Sequence, residues 1–422
     1  MEIAMLRERI ETEPSPARVR RIGLLTGVVL LLAYTIDYVD RFAISMALPS
    51  IGTEFGLSKT AQGLLVTVFA VVYMLCQIPA GVVADRFGAR ILLLATLLLW
   101  SAFTMFTALA GTFALLLVLR ATFGASQGFF PAASFKTVAE RTTPDNRGTV
   151  MGLVMSASGI GSGLTPLIAA PLLIAFGWRG TFGWLAAAGA VLGILLWLLI
   201  PRRLPARMCE LSAQPPKPTP AARRAVLRSP QVWLFAGLFC AKNFVVYGLI
   251  TWVPSYLQEA KHVSIGETGV LAAIPALIGF ATTILGGWLF DRYFSTRPRW
   301  YLFATTLTSA ILLAPMALAS TAGQFILFEA LALAVDGLGS MALFGLPMRV
   351  FPTALTGSGM GVINFGGQVA GAAAPLLLGM LVDGFSYAAA FGLLVVAGLI
   401  AAGLAVRIPQ RAEDFSFAVK GV

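Results

Sequence analysis

The chain has 422 residues, of which 58% are hydrophobic and only 12% charged, and it carries a formal net charge of +11. A water-soluble protein of this length has no core large enough to hide so much apolar surface, which excludes an ordinary soluble enzyme or binding domain. The basic excess invites a nucleic-acid reading, and only the placement of the bases decides against it.

In chain order, residues 1–21 ("MEIAMLRERIETEPSPARVRR") are charged, lack an apolar core and read as a polar tail rather than a cleavable leader. Twelve apolar runs follow, near 22–48, 61–84, 91–110, 113–136, 147–173, 181–200, 231–257, 266–290, 300–319, 323–346, 356–381 and 387–406. Each is long enough to cross a bilayer core of roughly 30 Å. Leu-, Ala- and Gly-rich runs without alternation predict helices, not barrel strands, because lipid offers the backbone no partner but itself.

The first run contains "AYTIDYVDRFAIS", Ala33 to Ser45, with Asp37, Asp40 and Arg41 inside an otherwise apolar helix. An intramembrane charge is expensive and so faces a partner or a water-filled cavity. Helical spacing places Tyr34, Asp37, Tyr38 and Arg41 on one face, with Asp40 turned about 100° from Arg41. These charges either lock helices together or present a ligand site. The second run carries Tyr73 and ends in "GVVADRFGAR". There Gly81 is small enough to admit a neighbouring helix, Asp85 can cap or pair, and Arg86 and Arg90 suit an anionic leaflet. On the fourth run Arg120, Phe123, Gly124, Gln127 and Pro131 share a face.

The Pro- and Arg-rich interval 201–229 reads as a cytoplasmic linker. Beyond it, Lys242 lies mid-run in "FCAKNFVVYG", with Asn243 and Tyr247 on the same helix, and Asp336 lies in "LALAVDGLGS" with Glu329 two turns earlier. Lys242 either pairs with Asp336 or faces the cavity as a second positive point. The glycine-rich fifth and eleventh runs, "SASGIGSGLTP" and "NFGGQVAGAAAP", fit close helix packing. A phosphate loop is excluded, since no strand precedes them and no Gly-Lys-Ser/Thr follows.

With both termini cytoplasmic, the loops on the far side hold only Lys59, Arg179 and Lys261, while Arg41, Arg120 and Lys242 lie within helices. The other bases collect on the terminal side. That asymmetry is membrane topology, not a nucleic-acid footprint. Cys76 and Cys240 fall in helices and Cys209 in the linker, so no disulfide framework is expected; with one histidine, His262, no metal site is expected either. No cofactor is expected.

The two parts of the chain repeat. Gly63, Gly81 and Asp85-Arg86 recur at one constant offset as Gly269, Gly287 and Asp291-Arg292. Gly148, Met151-Gly152, Pro166 and Phe182 recur as Gly357, Met360-Gly361, Pro375 and Phe391. The expected organisation is therefore a tail (1–21), a six-helix bundle (22–200), the linker (201–229), a second six-helix bundle (230–407) and a tail (408–422), with a cavity between the bundles.

The pattern G-x-x-x-D-R-x-G-x-R formed by Gly81, Asp85, Arg86, Gly88 and Arg90, with a degenerate copy in "GGWLFDR" (Asp291, Arg292), resembles the signature loop of the major facilitator superfamily. "DYVDRFAIS", "FAVVYMLCQIPAGVVADRFGAR", "LRATFGASQGFFPA", "TWVPSYL" and "GVINFGG" resemble its anion:cation symporter group, which includes galactonate, glucarate and hexuronate transporters. The resemblance implies an all-α membrane protein of twelve transmembrane helices in two pseudo-symmetric bundles, a transporter and not an enzyme. The signature loops act there as a conformational latch, and the first and fourth helices line the cavity. Arg41, with Tyr38, Tyr73, Gln127, Lys242 and Asn243, would then face an organic anion, and Asn364 matches a position that binds substrate hydroxyls.

The group's sugar-acid symporters carry a proton-coupling glutamate where this chain has Gln127, which cannot titrate. Coupling is therefore expected at Asp40, paired with Arg120, with Asp37 as the second acid. The expected function is proton-coupled symport of small organic anions by alternating access, in a monomeric, multi-pass inner-membrane protein. The alternatives are a proton-coupled drug or metabolite exporter and an uncoupled facilitator or exchanger.

Overall fold

The structure is a computed structural model that describes residues 16–200, 224, 226–350 and 353–409. Most of the expected linker, residues 1–15 and 410–422 of the tails, and Cys209 lie outside the described residues. Among the described residues all regular structure is helical: α1 Pro16–Phe55, α2 Lys59–Phe87, α3 Ala89–Ala108, α4 Phe113–Gly128, α5 Phe130–Arg141, α6 Pro144–Leu199, α7 Pro230–Ser255, α8 Ile265–Leu289, α9 Pro298–Ala317, α10 Ala322–Val350, α11 Thr353–Gly384 and α12 Tyr387–Ala405.

Local chemistry sets the boundaries. Ser58 caps α2 by accepting from Ala61 N, and Thr112 caps α4 by accepting from Leu115 N. Gly88 ends α2 at φ +83°, a backbone conformation that favours glycine. The fourth apolar run divides into α4 and α5 just ahead of Pro131, which cannot donate to the helix before it. Short π-turns, Tyr256–Ala260 and Phe290–Phe294, extend α7 and α8.

Eleven helical segments are long and apolar enough to cross a membrane among the described residues, against twelve expected. The difference lies in α6, whose 56 residues span about 84 Å at 1.5 Å per residue, more than twice a bilayer core. Its helical geometry breaks at Gly177, at φ +63°, giving the two limbs 144–176 and 178–199 that the fifth and sixth runs predict. Glu54, at the end of α1, pins that break by accepting from Trp178 Nε1 at 2.7 Å and from Arg179 at 2.6 Å.

Each half has its own apolar cores. In the first, Leu30, Trp100, Phe130 and Leu196 pack in one cluster, and Ile44, Leu48, Trp178 and Phe182 in another. In the second, Phe235, Leu302, Leu343 and Ile363 form one, and Leu249, Trp252, Phe325 and Phe391 another. Apolar side chains such as Ile78, Val82, Leu109 and Leu318 stand exposed on the outside, as lipid permits.

The halves meet through α2 against α11 and through the first limb of α6 against α8. Both seams use residues of the repeat. Gly63 lies against the Pro375 carbonyl, and a Cβ on Gly269 would stand 2.8 Å from the carbonyl oxygen of Pro166. At the end of the bundle opposite the termini, the Asp383 carboxylate accepts from Lys59 N (2.8 Å), Thr60 N (2.7 Å) and Thr60 Oγ1 (2.6 Å). It thus caps α2 from the other half. Lys59 also pairs with Glu259 at 2.5 Å. That end is closed.

Candidate functional site

The aromatic and charged residues of α1, α2 and α4 converge because glycine permits it. A Cβ on Gly124 would stand 2.5 Å from the carbonyl oxygen of Phe69, and one on Gly128 would stand 2.7 Å from that of Tyr73. With hydrogen there instead, α4 lies on the backbone of α2, and both rings are fixed beside α1. Arg41 Cζ lies 4.4 Å from the Tyr73 ring centroid, 5.0 Å from that of Tyr38 and 5.4 Å from that of Phe69. The guanidinium is thus held in an aromatic cage, an arrangement that a desolvated cation favours.

Its polar partners come from two helices. Arg41 Nη2 donates to Asp37 Oδ2 at 3.0 Å, one turn away, and reaches Gln127 Oε1 on α4 at 3.5 Å. Gln127 Nε2 in turn approaches the Asp37 carbonyl oxygen at 3.5 Å. Arg41 Nε and Asp37 Oδ1 are buried without a hydrogen-bond partner. A guanidinium has five N–H donors in a planar fork, so unpartnered donor capacity remains here for a carboxylate.

Next to this cluster lie Asp40 and Arg120, 1% and 3% exposed. They are electrostatic neighbours. The direct pair expected between them is not made, because neither Asp40 oxygen has a hydrogen-bond partner. Arg120 instead stacks between Phe123 (5.3 Å) and Phe182 (5.1 Å). The physical reason is helix rotation: Asp37 stands one turn from Arg41 on the same face, whereas Asp40 must reach across to another helix.

In the second half Lys242 on α7 bonds Asp336 on α10, and its Nζ also reaches the Asp336 carbonyl oxygen at 3.4 Å. Of the two readings of Lys242, this geometry is the paired one. Asn243 is half-buried beside Gly367 of α11, and Asn364 is exposed on α11. Two aromatic contributors were not among the expected site residues. Phe69 completes the cage, and Tyr247 on α7 acts on Arg41 across the boundary between halves, with its ring 6.2 Å from that of Phe42. Their signal was helical spacing alone: Phe69 stands one turn before Tyr73.

The loop residues are placed separately. Asp85 pairs with Lys136 at 2.7 Å, and Arg86 lies over the Phe87 ring at 5.5 Å. Arg90 donates to the Ile200 and Trp197 carbonyl oxygens at 2.8 and 2.7 Å, holding the end of α6. Arg299 does the same in the second half, donating to the Ile408 carbonyl oxygen at 2.7 Å. Arg292 Nε reaches Tyr293 Oη at 3.3 Å beside Asp291 in the second copy of the loop. The close helix approach expected at Gly81 is not found: nothing lies within 4 Å of where its Cβ would be, because that face of α2 is turned away from its neighbours. No cluster of three or more metal-ligating side chains occurs among the described residues.

Residues 30–375 match the Major Facilitator Superfamily, and the chain belongs to that family of membrane transporters. It is 28% identical over 389 residues to the hexuronate transporter of Bacillus subtilis (strain 168), covering 89% of this chain and 90% of that one. It is 27% identical over 382 residues to a probable L-galactonate transporter of Escherichia coli (strain K12), covering 87% and 84%. A probable sulfoacetate transporter of Cupriavidus necator is 29% identical over 390 residues, covering 87% and 88%. Among solved structures, a bacterial homolog of the human lysosomal transporter Spinster, inward-facing and unoccupied, superposes with a TM-score of 0.82 at 19% identity, covering 95% of this chain and 98% of that one. The D-xylose-proton symporter superposes with a TM-score of 0.76 at 16% identity, covering 93% and 99%. These likenesses show the fold.

Proposed function

We propose that this protein carries small organic anions, sugar acids or related carboxylates, together with protons by alternating access. The observation that carries the reading is the caged Arg41 guanidinium, buried with Nε unpartnered in a cluster where two acids balance two bases. With Asp37, Asp40, Arg41 and Arg120 all ionised, the cluster is neutral. A carboxylate entering beside Arg41 adds one negative charge, and a proton taken up by Asp40 restores neutrality in a site where an uncompensated charge is costly. Anion and proton therefore bind better together than apart. The relatives that transport hexuronate, and the probable carriers of galactonate and sulfoacetate, agree on an anionic cargo.

Both termini are placed on the cytoplasmic side, the side where Lys and Arg gather, and the carrier is read as a monomer in the cell membrane. A second reading, uncoupled exchange, is favoured by Gln127, which cannot take up a proton beside Arg41. The test is thermal stability of the purified protein with D-glucuronate, D-galactonate, sulfoacetate or cationic drugs, with Arg41→Ala alongside. Binding to the folded state raises stability by RT ln(1 + [L]/Kd), about 2.7 kcal/mol at a hundredfold excess over Kd. Stabilisation by one of these anions, lost in Arg41→Ala, is the expected result. Stabilisation by cations alone, unchanged in Arg41→Ala, overturns the anion reading. Loss of D-glucuronate accumulation in Asp40→Asn proteoliposomes, with exchange kept, separates coupled from uncoupled transport.

A further inference from the structure

A second intramembrane acid lies outside the Arg41 cluster. Glu329, seven residues into α10, is 4% exposed, and its Oε2 is buried without a hydrogen-bond partner. It lines a cavity between the halves that also takes in Phe42 and Ser45 from α1, Thr165 from α6, Ile250 from α7 and Ala276 from α8. Ser45 Oγ is likewise buried without a partner. Two unsatisfied polar side chains from opposite halves thus border one small cavity.

The ionisable groups on the surrounding elements are already engaged or lie elsewhere. Asp37 and Arg41 bond each other on α1, with Asp40 beside Arg120, and Lys242 on α7 bonds Asp336 two turns along α10 from Glu329. Tyr247 on α7 lies with Arg41, Tyr301 on α9 donates to the Leu338 carbonyl oxygen, and Glu267 on α8 caps its own helix at Ser264. None of them pairs with Glu329 among the described residues. An ionised carboxylate with no counter-charge and no donor is the costliest arrangement available inside a membrane protein, whereas its neutral acid is tolerated.

We propose that Glu329 is a proton-binding site of the second half, holding a proton while the cavity is closed and releasing it to water when the halves separate. The site would take a proton and no larger ligand. It adds a second, mobile proton to the one assigned to Asp40, and in this it rests on the reading of the chain as a proton-coupled carrier. Lys59, Glu259 and Asp383 tie the halves together at the end opposite the termini, so on this proposal proton release follows their separation and not the occupancy of the anion site.

Infrared difference spectra of the full-length protein in lipid, recorded across a pH titration, test the assignment without any substrate. The native chain is expected to show the carbonyl stretch of a protonated carboxylic acid, and Glu329→Gln to lose that band while Asp40→Asn keeps it. Glu329→Gln matches the neutral acid in shape, so its thermal stability should equal that of the native chain. A Glu329→Gln spectrum identical to the native one overturns the proposal. In proteoliposomes with D-glucuronate, Glu329→Gln should retain exchange across the membrane and accumulate less under a pH gradient than the native chain, with the Asp40 proton alone left to drive it. Full accumulation in that variant also overturns it. If D-glucuronate is not carried at all, the proposed function fails, and the infrared band still decides the case of Glu329.

Discussion

Arg41 combines three demands in one side chain: permanent charge, a flat surface for the Tyr73 and Tyr38 rings, and a fork of donors. Arg41→Lys keeps the first and loses the other two. Its half-saturating concentration for D-glucuronate should rise at least about tenfold, equivalent to roughly 1.4 kcal/mol of binding, in initial-rate uptake measurements. Tyr73 separates packing from polarity. Tyr73→Phe preserves the ring under the guanidinium and should transport nearly as the native chain does. Tyr73→Leu removes a cation–π contact worth about 1–2 kcal/mol when desolvated, and its binding of the same anion should weaken accordingly. Equal losses in the two variants would mean that the phenol hydroxyl, not the ring, does the binding.

At the scale of helices, the two seams between halves depend on the absence of a side chain at Gly63 and Gly269. A bulky residue at either position collides with backbone, which cannot rotate away. Gly63→Leu and Gly269→Leu should therefore hold the end opposite the termini open. In each background a cysteine placed at Ser45, otherwise 2% exposed, should react faster with a water-soluble maleimide than in the native background. Unchanged reactivity would mean that these contacts do not gate the cavity. The Asp383 cap offers a gentler perturbation of the same joint. Asp383→Ala removes three hydrogen bonds to the first turn of α2, each worth about 1.5–3 kcal/mol when the acceptor is charged, with discounting for exposure. The closed population should fall, read as a broader distance distribution between spin labels on Ser58 and Gly384 in electron double-resonance measurements.

Over the whole molecule, the duplication shows as paired devices rather than as matching surfaces. Arg90 and Arg299 each open the third helix of a half and hold the end of its sixth, and Gly63·Pro375 and Gly269·Pro166 are the same contact made twice. Arg90→Ala and Arg299→Ala should consequently lower thermal stability by similar amounts, on the order of 1–3 kcal/mol for the carbonyls left without a donor. A loss confined to one of them would mean that the halves differ in how their last helices are anchored. Among the described residues only the first half carries a caged arginine; its counterpart holds the Lys242–Asp336 pair and the solitary Glu329. The two halves thus share a frame and divide the chemistry between them.

The number of crossings, the duplicated frame and the presence of charge within the first helix were all legible in the sequence. Each follows from hydropathy or from spacing along a single helix, which are local properties. The same locality placed Asp37 one turn from Arg41. What the tertiary structure alone decided was which acid meets which base. Asp40 and Arg120 are neighbours without a bond, Lys242 is engaged by Asp336, and Glu329 has no partner, because these outcomes depend on how helices rotate and how closely their backbones approach. Gly81 and Gly63 look alike in the repeat, yet one faces open space and the other a proline carbonyl. A glycine declares that close approach is possible; whether another helix arrives is settled only when both halves are packed.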